Sequence, residues 1–379
     1  MNSAIDHLVN NSRKIIYLTL SSTSEGDAVH SHVHEIVDGL KKLGWEVDVV
    51  EPTRNGNRNF FIRIADFYRL QKIAESKMKN VSALYIRGHF ATVFVSWIAK
   101  RRGIPVVFEI NGPYEDIFIA WPITRLIKCI IIAMVKSQMK LASILVVVTK
   151  ELKEWAINEI GQKSIYVITN GVNVKKFHPE AKTDFNTNNP YVIFFGSLSK
   201  WQGIDMMLEA ATLDSWPQGV DLLIVGDGAE RKSVTNASLK QINVRYIGVA
   251  PQEKIAELVA NSVAGLCPKN DKGNRQSTGL APLKMFETMA CGVPIIVTDF
   301  PGQADIVRIA QSGIIIPPGD STALSKAVAH LFFNKEEAKS MGYNGRKYVE
   351  HNCSWDKRAA ETSQAILMAN SLPSAYLHN

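Results

Sequence analysis

One feature constrains this chain more than any other. Short apolar runs alternate with longer amphipathic stretches along almost its whole length, and they do so in two separate series. The first series of runs covers residues 15–20, 46–50, 83–86, 106–110, 144–148 and 166–168. Helical periodicity fills the gaps, as over 30–43 and 90–102. The second series covers residues 191–195, 222–225, 244–247, 264–267, 295–297 and 313–316. Between the two, residues 179–190 read PEAKTDFNTNNP, polar and turn-rich, as an interdomain linker reads. Strands that alternate with helices imply parallel sheets with helical crossovers. The pattern therefore predicts two doubly wound α/β domains. Ligands of such sheets bind beyond the carboxyl ends of the strands, so a cleft between two of them is the expected site.

Length agrees with two domains: 379 residues, at ~100–200 per domain. An apolar fraction of 46% and a charged fraction of 21% exclude a disordered chain, a coiled coil and a collagen-like rod. Lys and Arg number 43 against 36 Asp and Glu, a net charge of +7 that suits anionic partners. Cys129, Cys267, Cys291 and Cys353 form no C-x-x-C pair, so neither a zinc site nor a disulfide framework is indicated, and a reducing cytoplasm is the default. The polar start of the chain and the short run at 15–20 argue against a signal peptide.

Residues 117–150 stand apart. They contain five basic residues (Arg125, Lys128, Lys136, Lys140 and Lys150) and no acid, among Ile117, Phe118, Ile119, Trp121 and Ile130–Ile132. Pro122 and the charges interrupt the apolar run too often for a membrane span, which needs ~20 residues. An interfacial helix on anionic lipid is the expectation, against a buried core helix whose lysines reach outward.

Chemistry concentrates in residues 277–298, STGLAPLKMFETMACGVPIIVT. Pro282 suits the first helical position, Leu283, Phe286 and Met289 supply an apolar face, and Gly292 ends the helix. Lys284 and Glu287, three apart, share a face. The unpaired N–H groups at such a helix start favour a diphosphate. Lys284 adds a full charge, and Glu287 is able to accept two ribose hydroxyls. The plainer possibility is a solvated Lys/Glu pair.

This stretch resembles the donor-nucleotide motif of the retaining glycosyltransferases of family 4, which have the GT-B fold. One branch carries Ser-Pro-Leu-Lys-x-x-Glu, and this chain has Ala281-Pro282-Leu283-Lys284-Met285-Phe286-Glu287. Phe195-Gly196-Ser197-Leu198 with Trp201-Gln202-Gly203-Ile204-Asp205 resembles the first strand and loop of the family's nucleotide domain. Val225-Gly226-Asp227-Gly228 with Arg231 resembles its glycine turn. Ile168-Thr169-Asn170-Gly171-Val172-Asn173 with Phe177-His178-Pro179 resembles the segment before its linker. The resemblance implies an acceptor-binding domain over 1–178, completed by a final helix from 355–379, a linker at 179–190, and a nucleotide-sugar domain over 191–354. It implies donor contacts from Gly26, Ser197, Lys200, Gly226, Gly279, Pro282, Leu283, Lys284 and Glu287, with Lys284 also catalytic.

The departures matter. Many relatives have a second glutamate where Gly279 stands here. Their Arg and Lys after the first strand of this domain align with Ser197 and Gln202, and Lys200 is the nearby substitute. Asn111 stands where many relatives have a histidine, and is carried over as the group nearest the anomeric carbon. Arg87 and His89, ending another strand, are candidate acceptor contacts; Arg125, Lys128 and Lys136 are candidate membrane contacts. His30, His32 and His34 face different sides of a helix, which argues against zinc.

The resemblance implies transfer of a sugar from a nucleotide-diphosphate sugar to a carbohydrate or lipid-linked acceptor, with retention, at the inner face of the membrane. No D-x-D occurs, so no metal is expected to bridge the diphosphate, and no cofactor or nucleic acid is expected. A nicotinamide-dependent dehydrogenase would need G-x-G-x-x-G after its first strand, which LTLSSTSEGDAVHS lacks. A nucleotide-sugar epimerase of the same fold and a catalytically silent membrane scaffold compete with the transferase reading. Retention of Lys284 and Glu287 argues against the scaffold.

Overall fold

The computed structural model describes residues 13–21, 28–52, 60–161, 164–185, 189–270 and 277–372. The chain divides into two compact units. One holds nearly all the described residues up to Ile168 together with those from Arg358 onward; the other is built on Thr169–Lys357.

The first unit is built on a six-stranded parallel sheet: β1 (Lys14–Leu18), β2 (Glu46–Val50), β3 (Ala83–Arg87), β4 (Val106–Ile110), β5 (Ile144–Val147) and β6 (Ile165–Val167), in the order β2-β1-β3-β4-β5-β6. Val, Ile and Leu dominate the central strands because helices cover both faces, and such strands read as continuous apolar runs. Ile15, Ile16, Leu84, Val107 and Leu145 are fully buried. Each contributes about 1.5–3 kcal/mol of burial relative to exposure. Local signals fix the helix ends. Thr149 caps the helix Lys150–Ile160 by accepting from the Leu152 N–H, and Gly161, at φ +67°, closes it. The last helix, Trp355–Ser371, contributes to this unit: Trp45 Nε1 donates to Ser363 Oγ at 2.8 Å, and Ala359, Ala365 and Ile366 are buried.

The second unit repeats the plan with β7 (Tyr191–Phe195), β8 (Asp221–Val225), β9 (Val244–Tyr246), β10 (Ala264–Cys267), β11 (Ile295–Thr298) and β12 (Gly313–Ile316), in the order β12-β11-β10-β7-β8-β9. Its core gathers Val192, Phe194, Met207, Leu222, Ile224 and Leu266. Every pair in both sheets is parallel.

Two boundaries differ from the sequence expectation. Residues 169–178 belong to the second unit, because Arg346 donates to the carbonyls of Val174 (3.2 Å), Phe177 (2.8 Å) and Ala290 (2.6 Å). The polar stretch expected as a linker is strapped to the same unit. Asn261 Nδ2 donates to the Ala181 carbonyl at 2.8 Å, and Lys254 pairs with Asp184.

Candidate functional site

The crossovers of the second sheet leave β7 in opposite directions, toward β8 on one side and, through the later connection, toward β10 on the other. Their carboxyl ends part between β7 and β10, the switch point at which such sheets bind ligands. Asn270 ties together the loops that follow these two strands. Its N–H donates to the Trp201 carbonyl (3.1 Å), and its Nδ2 donates to the Lys200 carbonyl (3.1 Å) and to Asp205 Oδ1 (3.0 Å). Gly196 (φ +119°) and Gly226 (φ +138°) pack backbone to backbone. A Cβ on Gly226 would lie 1.9 Å from the Gly196 carbonyl oxygen, so only glycine fits.

Beside them starts the helix Leu283–Ala290. Pro282 is its extended N-cap, at φ −70° and ψ 134°, rather than its first helical residue. Asn170 Nδ2 holds the entry by donating to the Ala281 carbonyl at 2.6 Å. Met285, Phe286 and Met289 form the buried face, while Leu283 is half-buried. Gly279, at φ +65°, shapes the loop before the helix.

Lys284 is buried. Its Nζ lies 3.6 Å from the Phe194 ring centroid and donates to Gln202 Oε1 at 3.1 Å. Burial, with the charge of Lys269 second, holds this ammonium well below the usual lysine range. Glu287 is half-buried one turn on. Burial pushes its carboxyl up to about 7 against the opposing pull of Lys284 and Lys176. Ser197 is exposed and shares a hydrogen bond with Ser199 Oγ at 3.0 Å. Lys200 does not reach Gln202; the basic side chain that does, besides Lys284, is Lys269, which donates to Gln202 Oε1 and lies 4.5 Å from the Trp201 ring centroid. Its only sequence signal is a lysine directly after an apolar strand and Pro268.

In the first unit the carboxyl end of β4 carries a buried cluster. Glu109 accepts from Tyr85 Oη (2.7 Å), Arg87 Nη1 (2.6 Å) and Asn111 Nδ2 (2.6 Å), and His32 Nε2 lies 3.0 Å away. Burial alone would push this carboxyl up; His32, Arg87 and the Asn111 donor more than offset it and hold it well below the usual carboxylate range. The sequence-predicted Arg87 and Asn111 are thus brought together by Glu109, which no sequence motif marks. His89 caps the short helix Phe90–Thr92, its Nδ1 accepting from the Ala91 N–H at 3.2 Å. Burial, and then Arg63, lower its pKa to about 4. His30 and His34 lie with ring centroids 4.1 Å apart, while His32 turns to Glu109. Gly26 lies outside the described residues.

The basic apolar segment is not one helix. It runs as Glu115–Ala120, a 3-10 stretch Pro122–Ile127, and Lys128–Leu141, the break falling at Pro122. Trp121, Ile123, Leu126, Ile127 and Ile130 are exposed, Leu126 at 82%. Arg125 Nε donates to the Phe118 carbonyl at 3.3 Å, and Lys128 Nζ lies 5.8 Å from the Phe118 ring centroid. Lys136 departs from expectation: it pairs with Glu159 at 2.7 Å, so its charge is already matched. An open groove of about 550 Å³ runs between Phe94, Trp97, Lys100 and Lys140. No helix among the described residues is long and apolar enough to cross a membrane.

Two family models match adjacent stretches: Glycosyltransferase Family 4 over residues 29–176 and Glycosyl transferases group 1 over 176–348. Both matching models are of glycosyltransferases, and the chain has the GT-B fold. Over 328 residues it is 25% identical to an N,N'-diacetylbacillosaminyl-diphospho-undecaprenol alpha-1,3-N-acetylgalactosaminyltransferase of Campylobacter jejuni, covering 82% of each chain. It is 22% identical to an uncharacterized glycosyltransferase of Methanocaldococcus jannaschii. There the match spans 59% of this chain and only 57% of that relative's length. Sucrose-phosphate synthase from Thermosynechococcus elongatus shares the fold at a TM-score of 0.75 and 17% identity, over 93% of this chain and 97% of that one. Anabaena HepE, solved with UDP-glucose, does so at 0.68 and 17%, over 93% and 99%.

Proposed function

We propose that the chain transfers a sugar from a nucleoside-diphosphate sugar to a hydroxyl of a lipid-linked or growing glycan, with retention at the anomeric carbon. The observation that carries this reading is the placement of buried Lys284, with Glu287 one turn on, at the switch point of the second sheet. Lys284 and the first-turn N–H groups meet the diphosphate, and Glu287 meets the ribose hydroxyls. Positive charge fixed in place before reaction stabilises the departing diphosphate as its charge develops. Lys284 and the helix start supply that charge, so no bridging metal is invoked. In the retaining step the bond from the anomeric carbon to the diphosphate breaks. The acceptor oxygen bonds on the same face, and its proton passes to the leaving phosphate. Asn111, fixed by Glu109, is the residue assigned to the anomeric centre.

A lipid-linked acceptor is supported by the exposed Trp121, Ile123, Leu126 and Ile130 beside Arg125 and Lys128, which suit an anionic membrane surface. The Campylobacter relative is named for a diphospho-undecaprenol acceptor. The test of the donor role is calorimetry with nucleoside diphosphates. Glu287→Ala should weaken binding at least tenfold while the unfolding temperature stays within a few degrees; unchanged affinity removes Glu287 from the ribose.

A further inference from the structure

We infer that the first unit lies on an anionic bilayer by the outer face of three neighbouring helices, Phe60–Ser76, Val93–Arg101 and Lys128–Leu141, with lipid entering the groove between the last two. The inference rests on the membrane reading of residues 121–130 and extends that surface from one segment to a layer of helices.

Three observations carry it. First, the helices are joined side by side. Gln71 Oε1 accepts from the Val95 N–H at 3.4 Å, and Gln138 Nε2 donates to Ser96 Oγ at 2.7 Å. Arg63 lies 4.5 Å from the Trp121 ring centroid, which brings the first helix to the exposed segment.

Second, the outward residues are those that water solvates poorly. The middle helix buries Val95, Ser96 and Ala99, and it exposes Phe94 at 50% and Trp97 at 41%, followed one turn on by Arg101. A helix on a soluble domain normally turns its polar face outward. The rings of Phe94 and Trp97 stack at 6.0 Å, and the Arg101 guanidinium lies 4.0 Å from the Trp97 ring centroid. The next helix exposes Ile130, Ala133, Ser137 and Lys140, spaced by three and four as one helical face requires. The two stripes meet at the open groove, which Phe94, Trp97, Ser137 and Lys140 line. On the first helix Ile64 and Tyr68, one turn apart, are exposed.

Third, charge selects the occupant. The helix Val93–Arg101 and residues 117–150 contain no acid. The acids of the first helix, Asp66 and Glu75, are matched by Arg69, Lys72 and Arg102. A second copy set against this face would oppose like charges. A nucleic-acid backbone would meet the cations and offer nothing to Phe94, Trp97 and Ile130. A bilayer containing phosphatidylglycerol satisfies both: rings and aliphatic side chains enter at headgroup depth, while Arg101 and Lys140 reach the phosphates.

The experiment uses the full chain and vesicles of phosphatidylcholine with or without phosphatidylglycerol. Cys129→Ser is the background, since the other three cysteines are buried. An environment-sensitive thiol dye is attached at Ser137→Cys or, as control, at Asp38→Cys. Asp38 belongs to the helix Ala28–Lys42, which joins β1 to β2. That crossover runs opposite to the one from β2 to β3, so right-handed connection places the two helices on opposite faces of the sheet. Emission from 137 should shift to the blue with phosphatidylglycerol vesicles and not with phosphatidylcholine alone, while emission from 38 stays unmoved. Arg101→Ser with Lys140→Ser should reduce flotation at least about fivefold, with the unfolding temperature within a few degrees of wild type because both side chains are exposed. A label at 137 that stays in water on vesicles still bound through Arg125 and Lys128 overturns the inference and leaves residues 121–130 as the contact. Equal shifts at 137 and 38, or flotation unmoved by the double variant, overturn it too. A shift at 137 that follows protein concentration without vesicles would show a second copy on this face instead. A wild-type chain with no preference for anionic vesicles overturns the membrane reading beneath it.

Discussion

Glu287 ties the chemistry of the site to the stability of the domain. An unfolded glutamate loses its proton near 4.5, whereas this one holds it to about 7 because it is buried. The stability it contributes is therefore complete below about 4.5 and is lost as the pH rises through about 7. Glu287→Gln removes that loss. The unfolding temperature of the variant relative to wild type should rise between pH 5 and pH 8 by several degrees, for an effect on the order of 2 kcal/mol in a carboxyl still partly exposed. A difference that does not change with pH would show that burial does not govern this group. Lys284 makes the complementary case. Its Ala variant should lose about 10²–10³-fold in turnover, the scale of a lost transition-state donor, while unfolding no more easily, because a buried ammonium is a burden to the fold. Equal turnover would remove it from the mechanism. Both residues are legible in sequence because they lie within one helical turn of each other. Lys269 and Glu109 are not: Gln202 is 67 positions from Lys269, and Tyr85 is 24 from Glu109. Only folding brings such pairs together.

At the scale of elements, period carries most of the information. The apolar runs fall on the strands, with ends displaced by a residue or two; β1 stops at Leu18 although Thr19 and Leu20 are also buried. Burial continues past the last ladder bond, so hydropathy overshoots the strand. The segment 117–141 is harder to read, since composition marks its surface character but not the break at Pro122. Its geometry alters which charges matter. Arg125→Ser with Lys128→Ser should reduce flotation with anionic liposomes several-fold and make the remainder less sensitive to salt, each charge being worth on the order of 1 kcal/mol at such a surface. Lys136→Ser should leave flotation unchanged and cost less than about 1 kcal/mol of stability through its lost pair with Glu159. No preference for anionic lipid in the wild-type chain would assign the exposed Trp121 and Leu126 to another partner.

For the whole molecule, two domains are readable from two series of strands, but their edges are not. Residues 169–178 look like a continuation of the first series, and only partners far along the chain, Arg346, Ala281 and Cys353 among them, draw them into the second unit. Removing the residues after Ser354 should lower the unfolding temperature of the first domain, since Trp45 loses its bond to Ser363 and Ile366 no longer covers the core. Calorimetry of the truncated chain checks this, and an unchanged first transition would contradict it. The return of Trp355–Ser371 to the first unit also sets an order of assembly on the ribosome. The six strands of the first sheet emerge early, yet the helix that finishes their domain is made only after the entire second domain. At roughly 5–20 residues per second that interval lasts some tens of seconds. Throughout it, the nascent first domain has to persist as an unfinished intermediate, exposed to chaperones and proteases, while its neighbour folds.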